Sequence, residues 1–414
     1  MIRALFAAAA AMLPIVAAAG APAATTHEVY VWQRQWTPAL HSALEQSRDL
    51  FTGARVLVAQ AGRDGRWLAT EATPQEFSGD TRPIVAVVRY DGAGTPPDVT
   101  ALMPFLDRLF AHWRSAGVAI AGVEIDYDCA SARLADYAAR LHDVRARLPS
   151  DVRLSITALP AWLGAPALDG VLDASDEAVL QVHAVEDPAR GLFDAQRAER
   201  WIRSFAPHAR QGFRVALPAY GSRVRFGGDG RAVAVESEMP VDRAATDSAR
   251  ELRVDPAEVV QLLGRLAAEP PRNWNGVVWF RLPLAGDRRA WTLAALRDVV
   301  AGRVPMPRVS ATMAARDNAA SDIFVSNVGA ADATVGGVLV SGSECTAGDA
   351  LPGWRGERVA QGWRFEPEAP QPLRAGTRRA VGWVRCAQVD GARLERNGIE
   401  GRSDETTLSD ETTP

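Results

Sequence analysis

Between Glu28 and Gly302 the chain repeats one pattern: a short apolar run, then a longer stretch with apolar residues at helical spacing. Repeated strand-helix units commit a chain to parallel strands, because each strand is returned to the same end of the sheet by a crossover. Eight strand candidates follow: Glu28–Trp32, Arg55–Gln60, Ile84–Arg89, Val118–Tyr127, Arg153–Ala158, Ala178–Val182, Phe213–Ala216 and Gly276–Phe280. Helix candidates between them are Pro38–Phe51, Asp98–Ser115 with Asp98 as N-cap, Ala130–Leu148 stopped by Pro149, Asp194–Phe205, Pro256–Ala268 and Trp291–Ala301. The connections after the second and fifth strands carry weak helix signals. Eight such strands in roughly 275 residues match a (β/α)8 TIM barrel, which takes ~250. A doubly wound sheet is the competitor, but no G-x-G-x-x-G follows any strand candidate. The expected fold is therefore α/β, a (β/α)8 TIM barrel over 25–305.

After Pro305 and Pro307 the pattern changes to alternating apolar segments separated by Gly and Asn turns, at Asp322–Ser326, Val335–Val340, Trp363–Phe365 and Arg379–Arg385. A small all-β, sandwich-like C-terminal domain is expected over 306–396. Residues 397–414 repeat Ser-Asp-Glu-Thr-Thr with almost nothing apolar and are expected to form a disordered tail. At the other end, Arg3, an apolar run from Ala4 to Ala19 and small residues up to Ala24 read as a cleaved signal peptide over 1–24. A membrane anchor is the alternative, against which the run falls short of the ~20 residues a bilayer needs. No other stretch is long enough to span, so the expected location is periplasmic or secreted. Export fits a disulfide between Cys345 and Cys386, which would close a loop worth about 4 kcal/mol by chain entropy, leaving Cys129 unpaired.

All 46 basic side chains are arginine. The absence of lysine excludes a P-loop phosphate lysine, Schiff-base chemistry and a Ser-Lys dyad. A net charge of −4 without a basic run makes nucleic acid an unexpected partner. No Gly-x-Ser-x-Gly elbow is present, and Cys129 has no adjacent base. Among the histidines only His183 ends a strand candidate, and it has no close ligating partner, so zinc is not expected; no cofactor is expected.

The sharpest chemical signal is Gly122-Val123-Glu124-Ile125-Asp126-Tyr127-Asp128, closing the fourth strand. Strand side chains alternate, so Glu124, Asp126 and Asp128 share one face and Val123, Ile125 and Tyr127 the other. In a barrel the acids point inward and rise toward the C-terminal mouth, where barrel enzymes place their sites. Stacked like charges resist full ionisation, which keeps one carboxyl protonated for general acid work. Two other readings stay open: a salt-bridged structural cluster with Arg34, Arg89 or Arg281, and calcium or magnesium held by the three carboxylates. Rings, amides and guanidinium groups suited to stacking on sugars and bonding their hydroxyls gather at strand ends: Trp32, Gln33, Arg34, Gln60, Arg89, Tyr90, Trp162, Gln181, His183, Tyr220, Trp279 and Arg281.

This segment resembles the fourth-strand motif of family 18 glycoside hydrolases, D-G-x-D-x-D-x-E, the chitinase-like barrels. Ala121 stands at the motif's first acid, Glu124 at its second, Asp126 at its third and Asp128 at the terminal glutamate. The resemblance implies that Asp128 protonates the leaving oxygen and that Asp126 orients the substrate's acetamido group. It departs at Ala121, which is no acid, and at Asp128, one methylene shorter than glutamate. With Val31-Trp32-Gln33-Arg34-Gln35-Trp36 opening the barrel and Gly276-Val277-Val278-Trp279-Phe280-Arg281-Leu282-Pro283 closing it, the chain as a whole is similar to a bacterial family of uncharacterised exported proteins whose barrels resemble those enzymes. The expected function is carboxylate general acid catalysis on a polysaccharide or amino-sugar glycan. A catalytically inactive glycan-binding or structural periplasmic protein is the alternative.

Overall fold

The computed structural model describes residues 25–62, 66–92, 97–183, 191–227, 232–236, 248–316 and 320–395. The expected signal peptide lies outside them, as does the expected tail. In chain order the first part runs β1 (Thr26–Val31), α1 (Pro38–Gln46), β2 (Gly53–Ala61), β3 (Trp67–Ala69), β4 (Ile84–Tyr90), α2 (Val99–Ser115), β5 (Ile120–Tyr127), α3 (Leu134–Arg145), β6 (Arg153–Ala158), α4 (Leu168–Asp173), β7 (Glu177–Gln181), α5 (Ala195–Phe205), β8 (Phe213–Pro218), β9 (Ser222–Phe226), β10 (Ala232–Glu236), β11 (Ser248–Leu252), α6 (Pro256–Ala268), β12 (Trp274–Phe280) and α7 (Leu293–Val300).

Strands β1, β2, β4, β5, β6, β7, β8 and β12 are all parallel, and β1 pairs with both β2 and β12, so the sheet closes on itself. Closure settles the choice against a doubly wound sheet, which has two free edges. Each of the eight expected strands is present, with ends displaced by at most two residues. Helix starts follow the capping residues: Asp98 accepts from the Thr100 amide, Asp194 from Arg197 and Asp255 from Ala257, the last with Pro256 in the first turn. The two weak connections are weak in fact. After β2 the chain forms the short antiparallel β3 and a 3-10 turn at Pro74–Phe77, and after β6 a 3-10 turn at Pro160–Trp162 and the six-residue α4. An excursion the sequence did not announce, the antiparallel sheet β10-β9-β11, separates β8 from α6.

Alternation along the strands builds two cores. Outward residues such as Val29, Val31, Val123, Ile125, Tyr127 and Leu217 join the helices in one large apolar cluster. Inward, Tyr30, Val87, Val179, Ala216 and Val278 fill the middle of the barrel, with Trp32 and Phe280 packed above them. That plug is a packed layer, as small parallel barrels require.

Ten further strands follow: β13 (Val309–Ala315), β14 (Ala320–Asn327), β15 (Ala333–Val335), β16 (Val338–Ser343), β17 (Ala347–Ala350), β18 (Trp354–Val359), β19 (Gly362–Pro367), β20 (Gln371–Leu373), β21 (Thr377–Arg385) and β22 (Gln388–Leu394). They pair antiparallel as β13-β14-β21-β17, β18-β19-β16-β22 and β15-β20, around one core of Ile323, Val325, Val338, Val340, Phe365 and Val381. The expected Val335–Val340 strand is two strands broken at Gly336-Gly337. This β module touches the barrel part through an Arg253–Asp332 pair at 3.2 Å and a 2.7 Å bond from Arg374 Nη2 to the Ala290 carbonyl.

Cys345 and Cys386 are disulfide-bonded, 41 residues apart, and Cys129 is free and buried. Closing a loop of that length lowers the entropy of the unfolded chain by about 4 kcal/mol at 25 °C. Replacing both cysteines by alanine should therefore lower the stability of the β module by about that amount in a denaturant titration, while the barrel transition stays in place.

Candidate active site

The inward residues of the barrel strands stack in levels, and the levels differ in chemistry. Lowest lies a charged layer built on Arg55 of β2, whose side chain is 2% exposed. Its Nε donates to Glu28 at 2.7 Å, its Nη2 to Glu177 at 2.6 Å, and its Nη1 to Ser155 Oγ at 2.9 Å and to Glu124. Arg214 completes the layer, 3.0 Å from Glu28 and 3.2 Å from Glu177. Tyr30 donates to the other Glu124 oxygen at 2.6 Å. Burial pushes the Glu124 carboxyl up, and Arg55 and the Tyr30 hydroxyl pull it part of the way back. Glu124 therefore sits fully enclosed in a salt-bridged network below the plug, and its cation is Arg55, not the Arg34, Arg89 or Arg281 weighed from sequence.

Two residues further along β5 the setting changes. Asp126 is 2% exposed and both of its oxygens are occupied: Thr157 Oγ1 donates to one at 2.7 Å and Arg89 Nη1 to the other at 2.6 Å. Asp128, just past the strand end, is 27% exposed at its side chain. Arg89 Nη2 reaches its Oδ2 at 3.3 Å, whereas its buried Oδ1 has no hydrogen-bond partner among the described residues. Burial, then the charge of Asp126, push the Asp128 carboxyl up to about 7 against the opposing pull of Arg89. Asp128, sharing one guanidinium with Asp126, is thus pushed toward its protonated form, as a proton donor at neutral pH requires. Gly92, in the turn after β4, packs against the Asp128 backbone so closely that a Cβ there would collide with the Asp128 carbonyl.

The raised Asp128 value links to stability. Between the ordinary carboxylate range and pH 7, the folded chain holds a proton that the unfolded chain has released. Stability contributed by this group accordingly falls as pH rises through that window, by at most about 2–4 kcal/mol, and the loss is complete above pH 7. Asp128→Asn lacks this pH dependence. Its melting temperature should match the wild type near pH 4 and exceed it at pH 8; an unchanged difference between the two proteins across that range would contradict the assignment.

Around the acids, the aromatic residues sort by strand parity. Trp32 and Phe280 stand above the plug with ring centroids 5.1 Å apart, and the Arg89 guanidinium lies 5.7 Å from the Trp32 ring centre. His183 packs against Phe280 at 5.4 Å and Tyr220 at 5.6 Å, and its Nδ1 is 3.3 Å from the Tyr220 hydroxyl. Burial lowers His183 to about 3, so its ring is neutral. Gln181 Nε2 donates to the His183 carbonyl at 3.4 Å, and Gln33 Nε2 reaches the Leu282 carbonyl at 3.5 Å. The structure therefore brings Trp32, Arg89, Asp126, Gln181, His183 and Tyr220 toward one end of the barrel, with Phe280 and Thr157 added to those read from sequence.

Other expected sugar-binding residues lie elsewhere. Trp279 is fully buried in the outer layer, stacked on His27 at 5.9 Å, and its Nε1 bonds the His27 Nδ1 at 3.2 Å. Burial and Arg214 lower His27 to about 4, which keeps that ring neutral and able to accept. Trp162 is also fully buried, donating to the Cys129 carbonyl at 2.8 Å, and Tyr90 packs outward against Trp67 and Tyr127. None of these three rings offers a face at the mouth. Arg34 is exposed and binds Gln60 at 3.0 Å, and Arg281 pairs with Asp287 at 2.6 Å. Among the described residues no group of three His, Cys, Asp or Glu side chains could hold a metal ion. No helix among them is long and apolar enough to cross a membrane.

Residues 80–285 match the family model described as a domain of unknown function, DUF3142, and residues 310–387 match that of a second, DUF8456. No curated protein matches the chain. Solved structures similar to it include the Bacillus cereus spore cortex-lytic enzyme SleL, at 12% identity over 67% of this chain and 74% of that one, with a TM-score of 0.49. A chitinase from Chromobacterium violaceum aligns at 13% identity over 67% of this chain and 98% of its own, with a TM-score of 0.49. A xylanase and alpha-amylase inhibitor protein from Scadoxus multiflorus aligns at 11% over 67% and 98%, with a TM-score of 0.44.

Proposed function

We propose that this chain, which carries the DUF3142 and DUF8456 domains, is an exported glycoside hydrolase acting on a polysaccharide or amino-sugar glycan at the C-terminal mouth of its barrel. The observation that carries the reading is Asp128: a carboxyl pushed up to about 7, with one oxygen on Arg89 and the other without a partner among the described residues, beside an Asp126 whose two oxygens are both held. A proton on Oδ1 is available to a leaving oxygen, which is what a general acid at neutral pH requires. Asp126, fixed by Arg89 and Thr157, supplies the anion that positions an acetamido group or stabilises developing positive charge at the anomeric carbon. Trp32 and Phe280 offer rings for stacking. Glu124 acts on this reading as a structural anion, remote from substrate.

A second reading, glycan binding without turnover, is favoured by Arg89, which bonds Asp128 as well as Asp126, and by Ala121 in place of an acid. Incubating the purified chain with oligomers of N-acetylglucosamine and with peptidoglycan separates the two. New reducing ends support the hydrolase; saturable binding without new ends supports the binder; neither would overturn both.

A further inference from the structure

The β module carries a surface that the barrel does not explain. In the sheet β13-β14-β21-β17, one face supplies Ile323, Val325 and Val384 to the core. The opposite face of such a sheet ordinarily carries polar side chains. Here it carries two large aromatics, Phe324 and Trp383, neither of which packs into either core. They share that face: Asp322 lies directly opposite Trp383 in the ladder, and Phe324 follows two residues along β14.

Each ring is accompanied by an arginine. The Arg378 guanidinium lies 3.5 Å from the Phe324 ring centre, and that of Arg385 lies 6.0 Å from Trp383. Both arginines are exposed, and among the described residues neither side chain has a carboxylate partner. Of the two aspartates opposite Trp383 in the ladder, Asp322 is engaged by Arg316 at 2.6 Å, and exposed Asp349 accepts from the Ala350 amide at 2.9 Å. Arg378 is held over its ring by stacking and Arg385 lies beside its own, and exposed guanidinium groups with in-plane donors suit ligand carboxylates. Trp383, with its arginine at the outer limit of contact, leaves ring area for a sugar face.

We infer that this sheet face is a second glycan-binding site, separate from the barrel mouth, and that it takes an acidic polysaccharide: Trp383 stacks on a sugar ring while Arg378 and Arg385 pair with carboxylates along the strand. The site needs no catalytic step and stands whether or not the barrel cleaves glycans.

Affinity electrophoresis of the full chain through gels holding polygalacturonate, hydroxyethyl cellulose or a poly-dT oligonucleotide tests this. Retardation by polygalacturonate is expected, at least tenfold stronger than by the neutral polymer or by poly-dT. It should fall at least tenfold in Arg378→Gln/Arg385→Gln and in Trp383→Ala, with unchanged thermal unfolding, and persist in Asp128→Asn. Loss in Trp383→Ala is the discriminating result, since that variant keeps the positive charge. No retardation, equal retardation by poly-dT, or binding that survives Trp383→Ala would overturn the inference.

Discussion

Arg55→Met should lower the stability of the barrel by about 3–5 kcal/mol, the cost of leaving a buried ion network without its central cation. Arg55 is the cation shared by Glu28, Glu124 and Glu177. Arg214 still serves Glu28 and Glu177 in the variant, so the burden falls on Glu124, left with Tyr30 and Ser155 as donors. That makes the loss specific and reversible by a second change. Arg55→Met/Glu124→Gln should recover a large part of it, because removing both members of a buried pair costs less than removing one. The single variant should also regain stability as pH falls, since a buried carboxyl without its cation folds more readily protonated. Denaturant titrations of wild type, both singles and the double at pH 5 and pH 8 measure all of this. Equal losses in Arg55→Met and in the double variant would show that the network is not coupled as described.

Asp128→Asn should reduce glycan cleavage by between about 10²- and 10⁴-fold, the range a positioned general acid contributes. The amide keeps the size and hydrogen-bonding shape of the acid but cannot release a proton to a leaving oxygen. Asp126→Asn should cause a loss of similar order, with one further consequence. Removing its charge takes away a cause of the raised Asp128 value, so the alkaline limb of the residual activity should move to lower pH. A variant that merely disturbed the fold would lose activity without moving that limb. Binding of a glycan oligomer, measured by calorimetry, should survive Asp128→Asn within a few-fold, because its role is made in the transition state.

The barrel was legible because its strands are apolar runs punctuated by capped helices, and Arg153–Ala158 and Pro256–Ala268 have the same ends in sequence and structure. Alternation also placed Glu124, Asp126 and Asp128 on one face. What alternation does not give is height along the barrel. One pleat separates Asp126 from Glu124, yet the first meets Arg89 near the mouth and the second meets Arg55 beneath the plug. A signal for the lower layer existed: Glu28, Arg55, Glu177 and Arg214 each stand at or beside the start of a strand candidate, at inward parity. The same parity separates Phe280 from Trp279 and Arg89 from Tyr90, since adjacent strand residues cannot face the same side. Trp162 lies beyond its strand, where alternation has no hold, and its indole went to the Cys129 carbonyl. The pairing of Asp322 with Trp383 across β14 and β21 could not be read at all, because register between distant strands is a tertiary property.

On the proposed function, a protonated Asp128 at the barrel mouth drives cleavage of a glycan. The most direct test is the pH dependence of kcat/KM for an N-acetylglucosamine oligomer, with new reducing ends counted by mass spectrometry from pH 5 to pH 9. The protonated acid is the active form, so the rate is expected to fall about tenfold per pH unit above 7. Absence of new reducing ends from the wild type, or a rate that holds steady or rises through pH 9, would contradict it.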